Sequence, residues 1–438
     1  MTTFDGILPH LREVLGSHRQ TLEELDWFVV NRDLNGRVRL IVPEATASNP
    51  DVRARLEQLY AELARQIAPH HHSGGTGLLY EPDLDISLEH GSRTPIEGFS
   101  NGWMVDRLAV DSHWTDIAPE HGDPPRIVFA SLKGGVGRST ALAACAWKLA
   151  QHGKRVLVLD LDLESPGLSS SLLPEDRQPS YGVTDWLVED LVDNGGSVLQ
   201  EMFAASPLSH DGEIYVVPAH GRDPGEYLAK LGRVWMPNVG ADGSREPWTA
   251  RLRRLLAELE KNLRPDVTLI DARAGLSEIA SSCIAGLEAR LILLFAIDGH
   301  QSWSGYRLLF RHWQRAGIAE LIRDRLQMVA AMVPEIDPAS YLAAFREEAH
   351  DLFLDTLYDE IPPNGEGWNF DLADDTAPHH PWPVRWHRGY AALRTLHGKL
   401  ATVDDDEIRH TFGGLIDPLE RSLGWGDGDE IRPPGGNR

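Results

Sequence analysis

R-I-V-F-A-S-L-K-G-G-V-G-R-S-T, Arg126–Thr140, is the stretch that decides the fold. Ile127 to Ala130 is a short apolar run and reads as a buried strand, while Ala141 to Leu149 reads as a helix. The glycine-rich turn between them makes a phosphate cradle. Consecutive backbone N–H groups point into such a loop, and the helix dipole adds partial positive charge. Gly134, Gly135 and Gly137 let the backbone take unusual φ values and approach phosphate oxygens. Arg138 supplies a cation for the β- and γ-phosphates and Ser139 a hydroxyl for Mg²⁺; Val136 and Thr140 complete the candidate contacts.

Two further acidic motifs follow. In L-D-L-D-L-E-S-P-G-L, Leu159–Leu168, Asp160 closes an apolar strand and Asp162 lies two residues on. Both fall at the carboxyl end of the sheet, where open α/β folds bind ligands. Paired carboxylates beside a nucleoside triphosphate can hold Mg²⁺ through water and orient an attacking water. In V-T-L-I-D-A-R-A-G-L-S-E, Val267–Glu278, an apolar strand ends in Asp271, the pattern of a carboxylate that holds Mg²⁺ through water. Gly275 allows the backbone to approach the γ-phosphate and to shift when it leaves. Arg273, between them, suits either phosphate or a partner.

The loop departs from G-x-x-x-x-G-K-[ST]: Leu132 stands in place of the first glycine and Arg138 in place of the lysine. K-G-G-V-G-R-S-T resembles instead the deviant phosphate loop, K-G-G-x-G-K-[ST], of the ParA/MinD group of ATPases. The resemblance covers roughly 126–401 and implies an ATP-binding, Mg²⁺-dependent switch that dimerises with ATP bound. Lys133 would then reach the nucleotide of the other subunit, Asp162 would position and activate the water, and Asp160 would act on the Mg²⁺ shell. Arg138 keeps the charge but replaces a compact ammonium with a planar fork. Only six of the 42 basic residues are Lys, so a general drift toward Arg explains Arg138 but not the retained Lys133. The V-A-A-M-V-P stretch near 329–334 lacks the Asn that often reads adenine in the group, while no N-K-x-D pattern points to GTP.

The 438 residues suffice for several domains. The expectation is an N-terminal α+β module with its linker at 1–122, a P-loop α/β domain with a mostly parallel doubly wound sheet at 123–402, and an extension at 403–438. In the first, Asn35-Gly36 signals a hairpin between strands 28–32 and 38–42, with Phe28, Val30, Leu40 and Val42 facing the core. Asn49-Pro50 opens a helix. His70-His71-His72 before Ser73-Gly74-Gly75 reads as an exposed polar loop. From Arg126 onward strands alternate with helices, which implies a parallel sheet covered on both faces. Leu354–Ile361 reads as a late strand, Val384–Ala401 as a closing helix, Thr411–Trp425 as a helix broken by Pro418, and Gly424–Arg438 as disordered.

A net charge of −24 argues against a nucleic-acid track or an anionic membrane surface as the main partner, while leaving a local basic patch open. Two cysteines make no disulfide framework, and no apolar run reaches membrane-spanning length, so the expectation is a cytoplasmic protein. A regulatory ATPase switch signalling through residues 1–122 to a protein partner is the reading that remains. The K-G-G-V-G-R variant resembles a subgroup found in bacterial multi-component systems, some with suspected defence roles. The alternatives are a nucleotide-binding scaffold without turnover and a DNA-partition ATPase.

Overall fold

Short runs of Val, Ile, Leu and Phe become strands wherever glycine, proline or a polar cluster bounds them. The computed structural model describes residues 2–72, 76–88, 92–107, 113–240, 243–361, 367–391 and 396–425. Contacts divide the chain into two units, Met1–Asp116 and Ile117–Arg438.

The first unit holds β1 (Phe28–Arg32), β2 (Val38–Pro43), β3 (Leu78–Glu81), β4 (Ser92–Pro95) and β5 (Gly102–Asp106) in the order β3-β2-β1-β5-β4. The hairpin forms as its turn signal predicts, with β1 antiparallel to β2. β5 pairs with β1 in parallel. Phe28, Val30, Leu40 and Val42 are fully buried against Leu11, Val14, Leu15, Leu56, Leu59 and Leu63 of the helices Ile7–Ser17 and Pro50–Gln66. Asn49 caps the second helix by accepting from the Asp51 and Val52 N–H groups. The His70–His72 stretch is no exposed loop. It is half-buried, His71 bridges Val38, and the His72 ring lies between Asp33 and Arg39. Positions 73–75 lie outside the described residues.

The second unit holds β6 (Arg126–Ser131), β7 (Arg155–Asp160), β8 (Ala204–Ala205), β9 (Glu213–Val217), a separate two-stranded pair β10 (Asn238–Val239) and β11 (Arg245–Glu246), then β12 (Val267–Asp271), β13 (Leu291–Ala296), β14 (Leu326–Val333) and β15 (Trp382–Arg385). The main sheet runs β15-β14-β13-β6-β12-β7-β9-β8, parallel except for β8. After β6 the chain winds outward through β7 and β9, then returns to β12 and continues on the other side. The reversal puts a crevice at the carboxyl ends of β6, β12 and β7. Alternate residues such as Ile127, Phe129, Val156, Val158 and Leu269 face the helices Arg138–Gln151 and Asp405–Ser422. On the opposite face Thr268 donates to Glu260 of the helix Trp248–Leu263, so helices cover both sides, as a parallel sheet requires.

Three late elements differ from expectation. Leu354–Ile361 is no strand: Leu354 ends the helix Pro338–Leu354, whose Phe345, Ala349, Leu352 and Phe353 make one buried stripe, and turns follow. Val384 belongs to β15, an edge strand where Pro383 needs no donor, and only Arg388–Ala391 and Leu396–Leu400 are helical in the described part of 384–401. The helix Asp405–Ser422 passes unbroken through Pro418 because Ile408, Phe412, Leu415 and Leu419 anchor it on both sides. Residues from 426 on, expected to be disordered, lie outside the described ones. Among the described residues no helix is long and apolar enough to cross a membrane.

Candidate functional site

β6 ends at Ser131, and residues 132–137 curl over the start of the helix Arg138–Gln151. Gly135 and Gly137 sit at φ +73° and +80°, in the left-handed region where a side chain would be strained. Nothing lies within 4 Å of where a Cβ of Gly134, Gly135 or Gly137 would be, so the cradle is open to a ligand. Val136 is buried beneath the loop, Thr140 is half-buried in the first helical turn, and Lys133 is exposed with no hydrogen bond or ion pair among the described residues.

Sheet register brings the two acidic motifs together. Asp271 of β12 pairs with Asp160 of β7, and both are buried at the strand ends. The loops continue the contact: Leu161 N–H donates to the Asp271 carbonyl at 3.1 Å, and Gly275 N–H to the Ser131 carbonyl at 3.0 Å. Gly275 itself sits at φ +104°. The loop after β12 is therefore tied to the phosphate-loop strand.

Arg138 is the hub. Its Nε donates to Asp271 Oδ1 at 2.5 Å, Nη2 to Asp162 Oδ2 at 3.3 Å and Nη1 to the Ser131 hydroxyl at 3.2 Å. Ser139 donates to the other Asp271 oxygen at 2.5 Å. Both loop residues that the sequence assigns to nucleotide chemistry thus converge on one carboxylate. Burial works against the Arg138 charge, but Asp271 and Asp162 outweigh it and hold the guanidinium above its ordinary range.

Asp160 is engaged differently. One oxygen accepts the Asp162 N–H at 3.2 Å, and the other those of Gly167 at 3.2 Å and Leu168 at 3.1 Å. It shapes the loop that carries Asp162. Burial and the neighbouring Asp271 push its carboxyl up to about 7, despite the backbone donors that favour the charged form. Burial likewise raises Asp271, with Arg138 and Ser139 opposing. Arg273 pairs with Glu164, joining the loops after β12 and β7.

Hard oxygen donors suit Mg²⁺, and the adjoining Ser139 hydroxyl and Asp271 carboxylate are such a pair. The donor set fits a cation that takes its remaining ligands from phosphate and water; among the described residues no group of three His, Cys, Asp or Glu forms a ready cage. Sequence reasoning missed Ser131, which holds Arg138, and Tyr227, whose hydroxyl donates to the Leu163 carbonyl at 2.5 Å. A polar residue ending an otherwise apolar strand was a signal for the first. Nothing local signalled the second.

Residues 127–335 match the model of the CobQ/CobB/MinD/ParA nucleotide binding domain. The ParA/MinD resemblance read from the motifs is borne out over that span, and the mostly parallel sheet is that of a P-loop NTPase. Among solved structures, the chain is similar to the septum site-determining protein MinD complexed with Mg-ADP from Pyrococcus horikoshii OT3. Identity there is 18%, over 68% of this chain and 97% of that one, with a TM-score of 0.43. A single-residue variant of Cyanothece McdA in complex with ATP shares 16% identity over 71% and 100%, with a TM-score of 0.42. ParA of pNOB8 bound to nonspecific DNA shares 14% over 68% and 97%, also with a TM-score of 0.42. None of the curated proteins matches the chain.

Proposed function

We propose that the chain is an ATP-dependent molecular switch of the ParA/MinD type. ATP with Mg²⁺ closes a homodimer, slow hydrolysis reopens it, and residues 1–122 signal the state to a protein partner in a bacterial multi-component system. One observation carries the reading: Arg138 and Ser139 of the phosphate loop both bond Asp271, with Asp162 on the same guanidinium. A fold that only held nucleotide would need the loop but not a second, partly exposed carboxylate beside it.

In this reading Gly134–Gly137 and the helix N-terminus bind the phosphates through backbone N–H groups. Ser139 and Asp271 would hold Mg²⁺, which when bound neutralises charge on the β- and γ-phosphates. Asp162, 17% exposed at its side chain, is the carboxylate with access to water and serves to orient it for in-line attack. Lys133, exposed and unpaired among the described residues, would act beyond its own subunit in this reading. Arg138 must leave its carboxylates to reach phosphate, so turnover is slow or waits for a partner.

The test is phosphate release by purified protein, with Asp162→Ala as the control that keeps the phosphate loop. Release by wild type, its loss in the variant with ATP still bound, and a dimer of Asp162→Ala with ATP but not ADP by light scattering are the expected results. Nucleotide binding without release by wild type would instead support a scaffold, a reading favoured by one observation: Arg138 is already neutralised within the protein.

A further inference from the structure

The loop that carries Asp162 is pinned at its ends by Asp160, which accepts from Asp162, Gly167 and Leu168. Its middle is held otherwise. Glu164 pairs with Arg273 where both are partly exposed, and the Leu163 carbonyl accepts from Tyr227, 64 positions along the chain.

Tyr227 opens the short helix Tyr227–Leu231, which has no fully buried residue and whose Leu228 is 84% exposed. Such a piece has no core of its own to fix it. It is held by Asp185 of the helix Val183–Asp190, a side chain 6% exposed. One Asp185 oxygen accepts the Gly182 N–H at 2.8 Å and the Gly221 N–H at 3.2 Å, and the other accepts from Lys230 Nζ at 2.5 Å. Gly221 lies so close to the chain before that helix that a Cβ there would come 2.0 Å from the Ser180 carbonyl oxygen. The Tyr227 ring packs edge-on to His220 at 5.2 Å, and its hydroxyl lies beside Thr184. Burial raises the phenol above its ordinary range, so it stays a donor at every working pH. A braced segment therefore presents one phenol hydroxyl to the carbonyl next to Asp162.

We propose that Tyr227 is a positioning residue for hydrolysis: by holding the Leu163 carbonyl it fixes where the Asp162 carboxylate stands over the phosphate loop. The inference rests on the switch reading above, in which Asp162 orients the attacking water. No hydrogen bond joins Tyr227 to the phosphate loop among the described residues, so its loss should spare nucleotide binding and lower only the chemical step.

Tyr227→Phe removes the hydroxyl and keeps the ring against His220. Losing one such hydrogen bond predicts a fall in kcat of about two- to tenfold with KM for ATP unchanged. Amide hydrogen exchange in 161–168 of the nucleotide-free protein should quicken by a similar factor, while that of 183–190 stays as in wild type. Exchange unchanged in 161–168 overturns the proposal, and so does an active wild type whose kcat survives the substitution. A wild type that binds ATP without hydrolysing it refutes the switch reading and the hydrolytic role together. The exchange measurement then still decides whether Tyr227 holds the loop. Faster exchange across 183–190 as well would mark a structural lesion and refute a specific role.

Discussion

Arg138→Ala removes the only cation bonded to Asp271 and Asp162 among the described residues, whose side chains are 1% and 17% exposed. Deleting one partner of a buried ion pair costs about 3–5 kcal/mol, because the charge left behind has lost both water and its counter-ion. The unit Ile117–Arg438 has roughly 320 residues, so its unfolding entropy is about 0.7 kcal/mol/K and its Tm should fall by about 4–7 °C. The lower end is the better expectation, since Asp271 is already raised by burial and can take up a proton instead of standing charged. Calorimetry of nucleotide-free protein at low salt and neutral pH reads the shift. Adding Asp271→Asn to Arg138→Ala removes the stranded charge and should recover at least half of the loss, a coupling that a double-mutant cycle reports directly. A Tm for Arg138→Ala within about 1 °C of wild type would refute the claim that the guanidinium offsets these carboxylates, as would strictly additive effects of the two substitutions.

Three other outcomes follow from the same geometry. Asp160 has a folded value near 7 against 3.8 for the free side chain, so its contribution to stability is complete at low pH and is lost as pH rises through 7. His72, His379, His380 and His397 are held below their ordinary range by burial and pull the other way, so the readout is wild type minus Asp160→Asn. That difference in Tm should shrink from about pH 5 to 8, and a constant difference would count against the shift. Gly137→Val places a β-branched residue at φ +80° under the phosphate site and should abolish the Tm rise produced by ATP with Mg²⁺; an undiminished rise would move the nucleotide elsewhere. Lys133→Ala touches no partner among the described residues, so Tm without nucleotide should hold within about 1 °C while ATP-dependent dimerisation in light scattering disappears. A dimer that survives would remove Lys133 from the switch.

What the sequence made legible is what depends on neighbours along the chain. The phosphate loop is one continuous stretch, and the strand at 28–32 could be read to the residue because the Asn35-Gly36 turn signal follows it closely. Gly275 shows the same locality, lying four positions after Asp271 as the motif spacing requires. The late elements were misread where one pattern serves two structures. Leu354–Ile361 looks like a strand, yet Leu354 is the last residue of a helix whose buried stripe begins at Phe345. Val384 belongs to an edge strand rather than the expected helix, and Pro418 misleads because tertiary anchoring overrides its tendency to break a helix. Contacts across the sheet were invisible. Arg138 reaches Asp271 over 133 positions and Tyr227 reaches Leu163 over 64, and no spacing rule spans such distances.

The placement of Arg138 also constrains how nucleotide can bind. A lysine in its position would offer a point charge, whereas this fork divides three donors among Asp271, Asp162 and Ser131 at once. Turning the fork toward phosphate strips Asp271 of its buried partner while Asp160, beside it, resists ionising. The movement is favourable only if another cation takes over at Asp271, the role that the proposed reading gives to Mg²⁺ held by Asp271 and the Ser139 hydroxyl bonded to it. Nucleotide and Mg²⁺ should therefore bind with positive coupling: each stabilises the arrangement that the other requires, and ATP alone should bind weakly. In Arg138→Ala the fork no longer competes for Asp271, so the ATP-binding dependence on Mg²⁺ should change together with stability. The two effects share one origin, the single carboxylate to which Arg138 and Ser139 are both bonded.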